Sequence, residues 1–272
     1  MAKGISLHIG INSVDPKHYA DWDGKLNACE QDARDMLAIA KASGFLRSTT
    51  LFTAQATAGA ILRAIGAAAR ELVAGDLFFL TYSGHGDQVP DPTGDEADRK
   101  NETWLTYDRE LIDNELYAMW SRFAPGVRIV VLSDSCHSGT VTRDLVESQG
   151  ESQRAAVPRP IPREISAKVL AQHKSLYDSV SFVASAARGL KVGASVLLIS
   201  GCQDKQTSLD GQVNGLFTAT LLAVWKQGAF TGSYRELHRQ IIARMPATQQ
   251  PNLFLTGAAN PAFERQRPFS IG

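Results

Sequence analysis

Apolar residues fall into short continuous runs and helically spaced stretches that alternate along the chain. Runs in which nearly every position is apolar are typical of strands buried on both faces of a parallel sheet. The pattern predicts strands over residues 5–11, 50–53, 76–83, 127–134 and 194–201, helices over 28–42, 57–73, 113–123, 216–227 and 234–245, and a final extended piece at 252–256. Strands that alternate with helices predict a mostly parallel sheet covered by helices on both faces.

Two stretches lack this periodicity. Residues 84–108 are acidic and carry Pro and Gly, which predicts a loop. Residues 142–174 are polar and interrupted by Pro158, Pro160 and Pro162, which exclude a helix interior or a central strand there. We expect one domain over residues 1–272, with an exposed Pro- and Arg-rich processing loop at about 142–174.

The charge balance is neutral overall but uneven along the chain. Lys and Arg number 28, as do Asp and Glu, so the basic footprint of a nucleic-acid or anionic-membrane binder is absent. Residues 84–115 hold ten acidic against three basic residues, whereas residues 154–191 hold seven basic against two acidic. An acidic block and a basic block therefore cancel.

Three scattered cysteines, with no CxxC pair, argue against a disulfide framework and favour a reducing compartment. No run of 18 apolar residues and no signal-peptide pattern is present in the sequence. We therefore expect a cytoplasmic protein that works as a monomer, with no membrane or nucleic-acid partner.

The ends of two predicted strands carry reactive side chains. His85 stands between two glycines after the strand 76–83, and Cys136 follows the strand 127–134. The carboxyl ends of parallel strands meet at the edge where ligand sites lie, and a Cys beside a His is the minimal pair for covalent catalysis. His85 precedes Cys136 by 51 residues, which fits a cysteine-peptidase spacing. His137 is the rival base; His85 is favoured without excluding it.

The motifs YSGHGDQ and DSCHSG resemble those of caspase-like cysteine peptidases, specifically the metacaspase and bacterial orthocaspase branch. The resemblance extends to NACEQDARDM at 27–36, GDEADRKNETWLTYDRELIDNEL, SGCQDKQTSLDG, GLFTATLL and the closing QQPNLFLTGAANPAFERQRPF, so that almost the whole chain is covered. It implies a caspase-like three-layer α/β sandwich. The QAC-type signature of true caspases is absent, which argues against cleavage after acidic residues.

The resemblance also implies the activity. It is that of an endopeptidase acting on proteins or peptides after Arg or Lys, with Cys136 and His85 catalytic and the backbone N–H groups of Gly86 and Cys136 forming the oxyanion hole. Asp134, Asp32 and Ser83 would line the primary specificity pocket, where carboxylates can meet a guanidinium fork. Cys29 and Cys202 receive only a structural interpretation.

Many metacaspases are activated by calcium, and clustered carboxylates suit that ion. Where calcium-dependent members carry paired carboxylates, this chain has Asn101 and the Asp113–Asn114 pair, with Arg143 or Asp144 following the nucleophile motif. We expect no required cofactor or metal and disfavour calcium; the weak candidate ligands are Asp95, Asp98, Asp108 and Asp113.

The basic tract after Cys136 contains residues that the enzyme itself should recognise, namely Arg154, Arg159, Arg163 and Lys168. Self-cleavage there is a hypothesis, with Arg159 and Arg163 as poor sites because prolines stiffen their surroundings. Two other functions remain open. One is a catalytically idle caspase-like scaffold or peptide-binding module; the other is a different thiol-dependent acyl hydrolase, which the lack of a nucleophile elbow around Cys136 disfavours.

Overall fold

A six-stranded sheet forms the centre of the molecule. The structure, a computed structural model, describes residues 1–91, 99–135, 157–186, 189–202 and 208–272. The strand order is β11-β9-β7-β3-β1-β2, and only β11 runs antiparallel to its neighbour. These strands are β1 (Gly4–Gly10), β2 (Arg47–Phe52), β3 (Leu77–Ser83), β7 (Arg128–Asp134), β9 (Ser195–Ser200) and β11 (Asn252–Gly257).

Helices cover both faces of this sheet, as the sequence pattern predicts. The described helices are α1 (Cys29–Ala42), α2 (Ala58–Glu71), α3 (Asp113–Trp120), α4 (Arg163–Gln172), α5 (Lys174–Ser185), α6 (Leu216–Trp225), α7 (Tyr234–Ile242) and α8 (Pro261–Arg265). On β3, Phe78 and Leu80 point to the core that α2 to α5 cover, whereas Phe79 points to the core that α1 and α6 to α8 cover. Because successive side chains alternate across a strand, an all-apolar strand fills both cores.

The acidic stretch at 84–108 is not a simple loop, so that prediction is wrong in part. It contains β4 (Gly86–Pro90) and β5 (Lys100–Leu105), which form an antiparallel three-stranded sheet with β6 (Glu110–Ile112). The positions that β5 buries include Asn101 and Thr103. Because these buried side chains are polar, β5 does not show the apolar alternation by which a strand is predicted.

The predicted exposed loop at 142–174 needs a second correction. Residues 142–156 lie outside the described part, but Val157–Pro158 form a short strand, β8, paired with β10 (Leu209–Asp210). Arg159 is fully buried, and Pro160 and Ile161 are buried with it. Helix α4 begins directly after Pro162. The expectation that residues 159–161 are exposed is therefore wrong. Helix α4 occupies most of residues 162–174, where a loop is predicted.

The helices that the structure describes include none that is both long and apolar enough to cross a membrane.

Candidate active site

Strands β3 and β7 end side by side at one edge of the sheet. Ser83, the last residue of β3, is paired in register with Asp134, the last residue of β7. His85 follows β3 by two positions, and Cys136 follows β7 by two positions in the sequence. Cys136 and His137 lie outside the described residues. The topology thus places the end of β3, which His85 follows, beside the end of β7, which Cys136 follows in the sequence.

The His85 ring is buried between two backbone carbonyls. Its Nδ1 lies 2.7 Å from the carbonyl oxygen of Arg159, and its Nε2 lies 2.9 Å from that of Gly24. The indole of Trp22 packs against the ring, with centroids 4.8 Å apart. Burial lowers the pKa of His85 to about 4, although the two backbone hydrogen bonds favour the charged form.

The two contacts restrict the proton positions on this ring. A carbonyl oxygen only accepts hydrogen bonds, and a neutral imidazole has a single N–H. With the proton on Nε2, the ring donates to Gly24 and makes no hydrogen bond at Nδ1; with the proton on Nδ1, it donates to Arg159 and makes none at Nε2. Only the ring that is protonated on both nitrogens donates to both carbonyls. Gly24 can therefore orient the ring while Nδ1 takes up or releases a proton.

Three carboxylates surround the guanidinium of Arg159, and we call this group the carboxylate pocket. Arg159 Nη2 lies 2.9 Å from Asp32 Oδ2 and 3.0 Å from Asp210 Oδ1. Arg159 Nη1 lies 2.9 Å from Asp134 Oδ1 and also donates to the carbonyl oxygen of Asp134. All four side chains are almost completely buried. Both Nη nitrogens of Arg159 thus face charged acceptors, whereas its buried Nε has no hydrogen-bond partner among the described residues.

Hydrogen-bond donors hold the carboxylate of Asp32 in place from two sides. Ser83 Oγ donates to Asp32 Oδ2 over 2.6 Å, and the Gly215 backbone N–H donates to Asp32 Oδ1 over 3.0 Å. Asn214 Nδ2 also donates to Oδ1, over 3.0 Å. The predicted pocket residues Asp32, Ser83 and Asp134 are thus brought together.

Asp134 and Asp210 are fixed in the same way. Thr218 donates to Asp134 Oδ2 through both its backbone N–H (3.1 Å) and its hydroxyl (2.8 Å), and Ser208 Oγ donates to Asp134 Oδ1 over 2.8 Å. The backbone N–H of Asn27 donates to Asp210 Oδ2 over 2.8 Å. These donors belong to residues other than Arg159, so Asp134 and Asp210 each have hydrogen-bond partners besides the cation.

The pKa values of the pocket reflect burial against charge pairing. Burial raises the pKa of Asp32 to about 6, even though Arg159 acts in the opposite direction. Burial alone lowers the pKa of Arg159, but the carboxylates of Asp134, Asp32 and Asp210 outweigh it and raise that pKa well above its ordinary value. The guanidinium therefore stays charged, and its presence helps to keep the pocket ionised.

Gly215, just before α6, permits the close packing of this pocket. A Cβ at this position would collide with Arg159 Nη2 and with Asp134 Oδ2. A side chain here would push either the guanidinium or the carboxylate away. The absence of a Cβ also leaves the Gly215 N–H free to approach Asp32.

The backbone around Arg159 is held as an extended strand, which we call the 157–161 segment. The Arg159 N–H donates to the Ser208 carbonyl over 3.1 Å, and the Gly86 N–H donates to the Arg159 carbonyl over 3.2 Å. The Ile161 N–H donates to the Gly86 carbonyl over 3.1 Å. The same carbonyl of Arg159 therefore meets Gly86 and His85.

Sequence reasoning missed two parts of this site. Asp210 is the last but one residue of the segment SGCQDKQTSLDG, and the sequence indicates only that this segment follows β9. For Arg159 the sequence pattern predicts only a poor cleavage site, although its position between two prolines indicates a rigid extended segment.

The two remaining cysteines are buried, as expected of structural thiols. Cys29 Sγ lies 3.9 Å from Asp210 Oδ1, and burial raises its pKa. Cys202 Sγ lies 3.5 Å from the Ser135 carbonyl oxygen.

Some of the positions considered for calcium make other contacts in the described part of the chain. Asn114 Nδ2 donates to Asn101 Oδ1 over 3.1 Å, and both amides are buried. Asp108 accepts the backbone N–H of Ala58 at the start of α2. Within the described residues, no three His, Cys, Asp or Glu side chains cluster so as to hold a metal ion; Asp95, Asp98, Arg143 and Asp144 lie outside them.

Comparison with known proteins shows which family and fold this chain shares. The family model described as the caspase domain matches residues 4–268. Among curated relatives, Metacaspase-1A of Aspergillus oryzae is 28% identical over 79% of this chain and 58% of its own length, and Metacaspase-1 of Mycosarcoma maydis is 31% identical over 83% and 63%. The chain thus spans about three fifths of these two relatives.

Two solved structures support the same fold. Protein GSU0716 from Geobacter sulfurreducens is 48% identical, with a TM-score of 0.85 and 99% coverage of both chains. Caspase-1 from Spodoptera frugiperda has a TM-score of 0.50 at 9% identity, over 94% of this chain and 86% of its own. The predicted caspase-like sandwich is therefore confirmed, and the chain belongs to the caspase domain family of cysteine peptidases.

Proposed function

We propose that this protein is a cysteine endopeptidase that cleaves peptide bonds after Arg or Lys. One observation carries the proposal. The guanidinium of Arg159 lies among three buried carboxylates while the carbonyl of the same residue meets His85 Nδ1 and the Gly86 N–H. A substrate arginine bound in the same way would present its carbonyl carbon, and hence its scissile bond, beside the catalytic groups.

The proposed chemistry proceeds through an acyl-enzyme. His85 Nδ1 takes the proton of the Cys136 thiol, the thiolate attacks the carbonyl carbon, and Nδ1 gives this proton to the departing amine as the C–N bond breaks. His85 then takes a proton from water, which attacks the thioester and releases the new carboxyl group and the thiol. The Gly24 carbonyl keeps the ring oriented through both steps.

The oxyanion that forms in each step needs donors at the carbonyl oxygen. We assign this role to the backbone N–H groups of Gly86 and Cys136. The 3.2 Å bond from the Gly86 N–H to the Arg159 carbonyl supports the first assignment. Such a donor typically contributes on the order of 10²–10³ in rate.

The carboxylate pocket accounts for the proposed specificity. Asp32 and Asp210 share one guanidinium nitrogen, and Asp134 meets the other. A lysine ammonium is a compact point charge that cannot bridge these positions as the planar fork does. We therefore expect Arg to be preferred over Lys, and a carboxylate side chain to be excluded by like charge.

Calcium independence and self-processing belong to the same proposal. The buried Asn101–Asn114 amide pair supports activity without calcium.

Self-cleavage at Arg154 stays a prediction, and this residue lies outside the described part. Arg163 and Lys168 are on helix α4, which would have to unwind before its backbone could enter an extended binding mode.

A filled pocket is also what an idle peptide-binding scaffold would present, so catalysis must be tested directly. Fluorogenic peptides ending in Arg, Lys or Asp should be assayed with the wild type, Cys136→Ala and Arg159→Ala, each with calcium or a chelator. We expect cleavage after Arg and Lys only, its loss in Cys136→Ala, and no effect of chelation. Failure of the wild type and Arg159→Ala to cleave any peptide would favour the scaffold. Strict calcium dependence of cleavage would overturn the expectation that the enzyme works without calcium.

A further inference from the structure

We infer that the 157–161 segment is an internal pseudosubstrate that closes the active site and is not cleaved. The inference rests on the proposed function and goes beyond it. It states that the enzyme carries its own competitive inhibitor, so that the pocket must be vacated before an Arg or Lys substrate binds.

The side chain and the backbone of Arg159 occupy the site together. A structural ion pair would explain the guanidinium among Asp32, Asp134 and Asp210, but it would not require the Arg159 carbonyl to lie 2.7 Å from His85 Nδ1. The N–H of Arg159 bonds to Ser208, and β8 adds to β10 as an antiparallel strand. Extended peptides are commonly bound by such strand addition, with side-chain pockets giving specificity.

The two prolines around Arg159 prepare the segment for this role. Pro158 has a fixed φ, and a residue before a proline is restricted to extended conformations, so Pro160 holds Arg159 extended. Little conformational freedom remains to be lost when the segment docks. Preorganisation of this kind strengthens binding without adding contacts.

Pro160 also explains why the segment would survive in the site. The bond after Arg159 joins its carbonyl to a tertiary amide nitrogen that has no hydrogen and carries the ring Cδ. The ring Cδ takes the place of the N–H hydrogen on the nitrogen that the general acid must protonate, and Pro160 is buried and joined to Gly86 by a backbone bridge. The pose thus resembles a substrate at the carbonyl and resists cleavage at the nitrogen.

A tethered competitor has a kinetic signature. If only a fraction of the molecules has an open pocket, the apparent affinity for substrate falls by that fraction, while saturating substrate still reaches full turnover. Removal of the guanidinium should therefore lower KM for Arg peptides by about tenfold or more and leave kcat nearly unchanged. If Arg159 merely supported the fold, its replacement would instead lower kcat or reduce the amount of folded enzyme.

The first test is the variant Arg159→Ala, with Lys168→Ala as the matched control because Lys168 is an exposed basic residue of the same tract. We expect the KM decrease in Arg159→Ala only. Cleavage of Arg reporters with equal KM in Arg159→Ala and the wild type would overturn the inference while leaving the proposed function intact.

A second variant, Pro160→Ala, keeps every contact of the pocket and guards against failure of Arg159→Ala to fold. Hydrolysis would now add the hydroxyl of water to the Arg159 carbonyl and a proton to the amine of residue 160. We expect intact-mass analysis to find a cut after Arg159 in Pro160→Ala, none at that bond in the wild type, and none in Pro160→Ala combined with Cys136→Ala. An uncut Pro160→Ala chain in a preparation that cleaves Arg reporters would contradict the substrate-like pose.

A binding measurement separates this inference from the proposed function. Agmatine carries a guanidinium on a short aliphatic chain and should bind Arg159→Ala but not the wild type, as measured by calorimetry in the Cys136→Ala background. Agmatine binding by Arg159→Ala alone, together with no peptide cleavage by Arg159→Ala that retains Cys136, would support the filled pocket and refute the peptidase. Equal agmatine binding by both proteins would refute the filled pocket.

Discussion

Asp134 shows most clearly how single residues determine this site. It lies at the end of β7, is buried, and receives two donors from Thr218 while it faces the guanidinium. A buried carboxylate costs free energy unless donors and a cation compensate for its lost hydration. Its position is therefore explained by a cation in the pocket, whether that cation comes from Arg159 or from a substrate.

Replacement of this carboxylate by an amide should impair substrate binding selectively. In the Arg159→Ala background, Asp134→Asn is expected to lower kcat/KM for Arg reporters by about 10²-fold, since removing one charge of a buried hydrogen-bonded pair costs about 3 kcal/mol. Steady-state kinetics with Arg peptides measures the effect.

Two controls make this prediction specific. The rate at which iodoacetamide alkylates Cys136 should be unchanged, and Asp178→Asn, which alters an exposed aspartate of α5, should leave kcat/KM as it was. An unchanged kcat/KM in Asp134→Asn would remove Asp134 from the pocket assignment.

At this scale the sequence predicts the residues that belong to recognisable motifs. His85, Asp134 and Ser83 follow from strand ends and motif positions, and the structure brings them together with Asp32. Asp210 could not be derived in the same way, because its approach to Arg159 depends on the pairing of β10 with β8. That pairing joins segments about 50 residues apart, and local patterns do not encode it.

At the scale of secondary-structure elements, the small β4-β5-β6 sheet buries several polar side chains. Glu110 of β6 is completely buried and accepts a 2.7 Å hydrogen bond from Thr103 of β5. Burial, with a further contribution from Asp87 of β4, raises the pKa of Glu110 to about 8. The folded protein thus retains a proton that the unfolded chain releases near pH 4.5.

The sign of the resulting pH dependence follows from this raised pKa. In the folded protein Glu110 stays protonated until the pH nears 8, whereas in the unfolded chain it ionises above about pH 4.5. Its contribution to stability is therefore full below about pH 4.5 and is lost as the pH rises towards 8, by an amount on the order of 3–5 kcal/mol. Glu110→Gln keeps an oxygen acceptor for Thr103 and cannot ionise. The thermal midpoint of this variant should therefore exceed that of the wild type increasingly between pH 5 and pH 9, as followed by circular dichroism. A difference that is independent of pH would contradict the assignment.

The same sheet marks the limit of prediction at the level of elements. Central strands such as β3 and β7 contain continuous apolar runs at 77–80 and 129–132 and are predicted within one residue of their observed ends. β5 buries Asn101 and Thr103, so no hydrophobic alternation reveals it. Helix α4 is missed for a different reason. The prolines up to Pro162 exclude a helix where they stand, but Pro162 directly precedes α4 and only marks its N-terminal boundary.

In the whole molecule, the central sheet supplies the rigid edge from which the site is built. β3 and β7 provide Ser83 and Asp134, α1 provides Asp32, β10 provides Asp210, and α6 provides the Thr218 donors. Strand and helix alternation predicts the three layers, since each buried strand must be covered on both faces. It does not predict that the 157–161 segment returns to the edge and enters the site, because that path depends on long-range pairing.

The central claim is that Cys136 and the carboxylate pocket form one Arg-directed catalytic site. It is tested most directly by covalent labelling of Arg159→Ala with peptide acyloxymethyl ketones that end in Arg or in Asp, followed by peptide mass mapping. The account predicts that the Arg reagent attaches to Cys136 and not to the buried Cys29 or Cys202, and that the Asp reagent does not react. Equal labelling by both reagents, or no labelling of Cys136 by the Arg reagent, would contradict it.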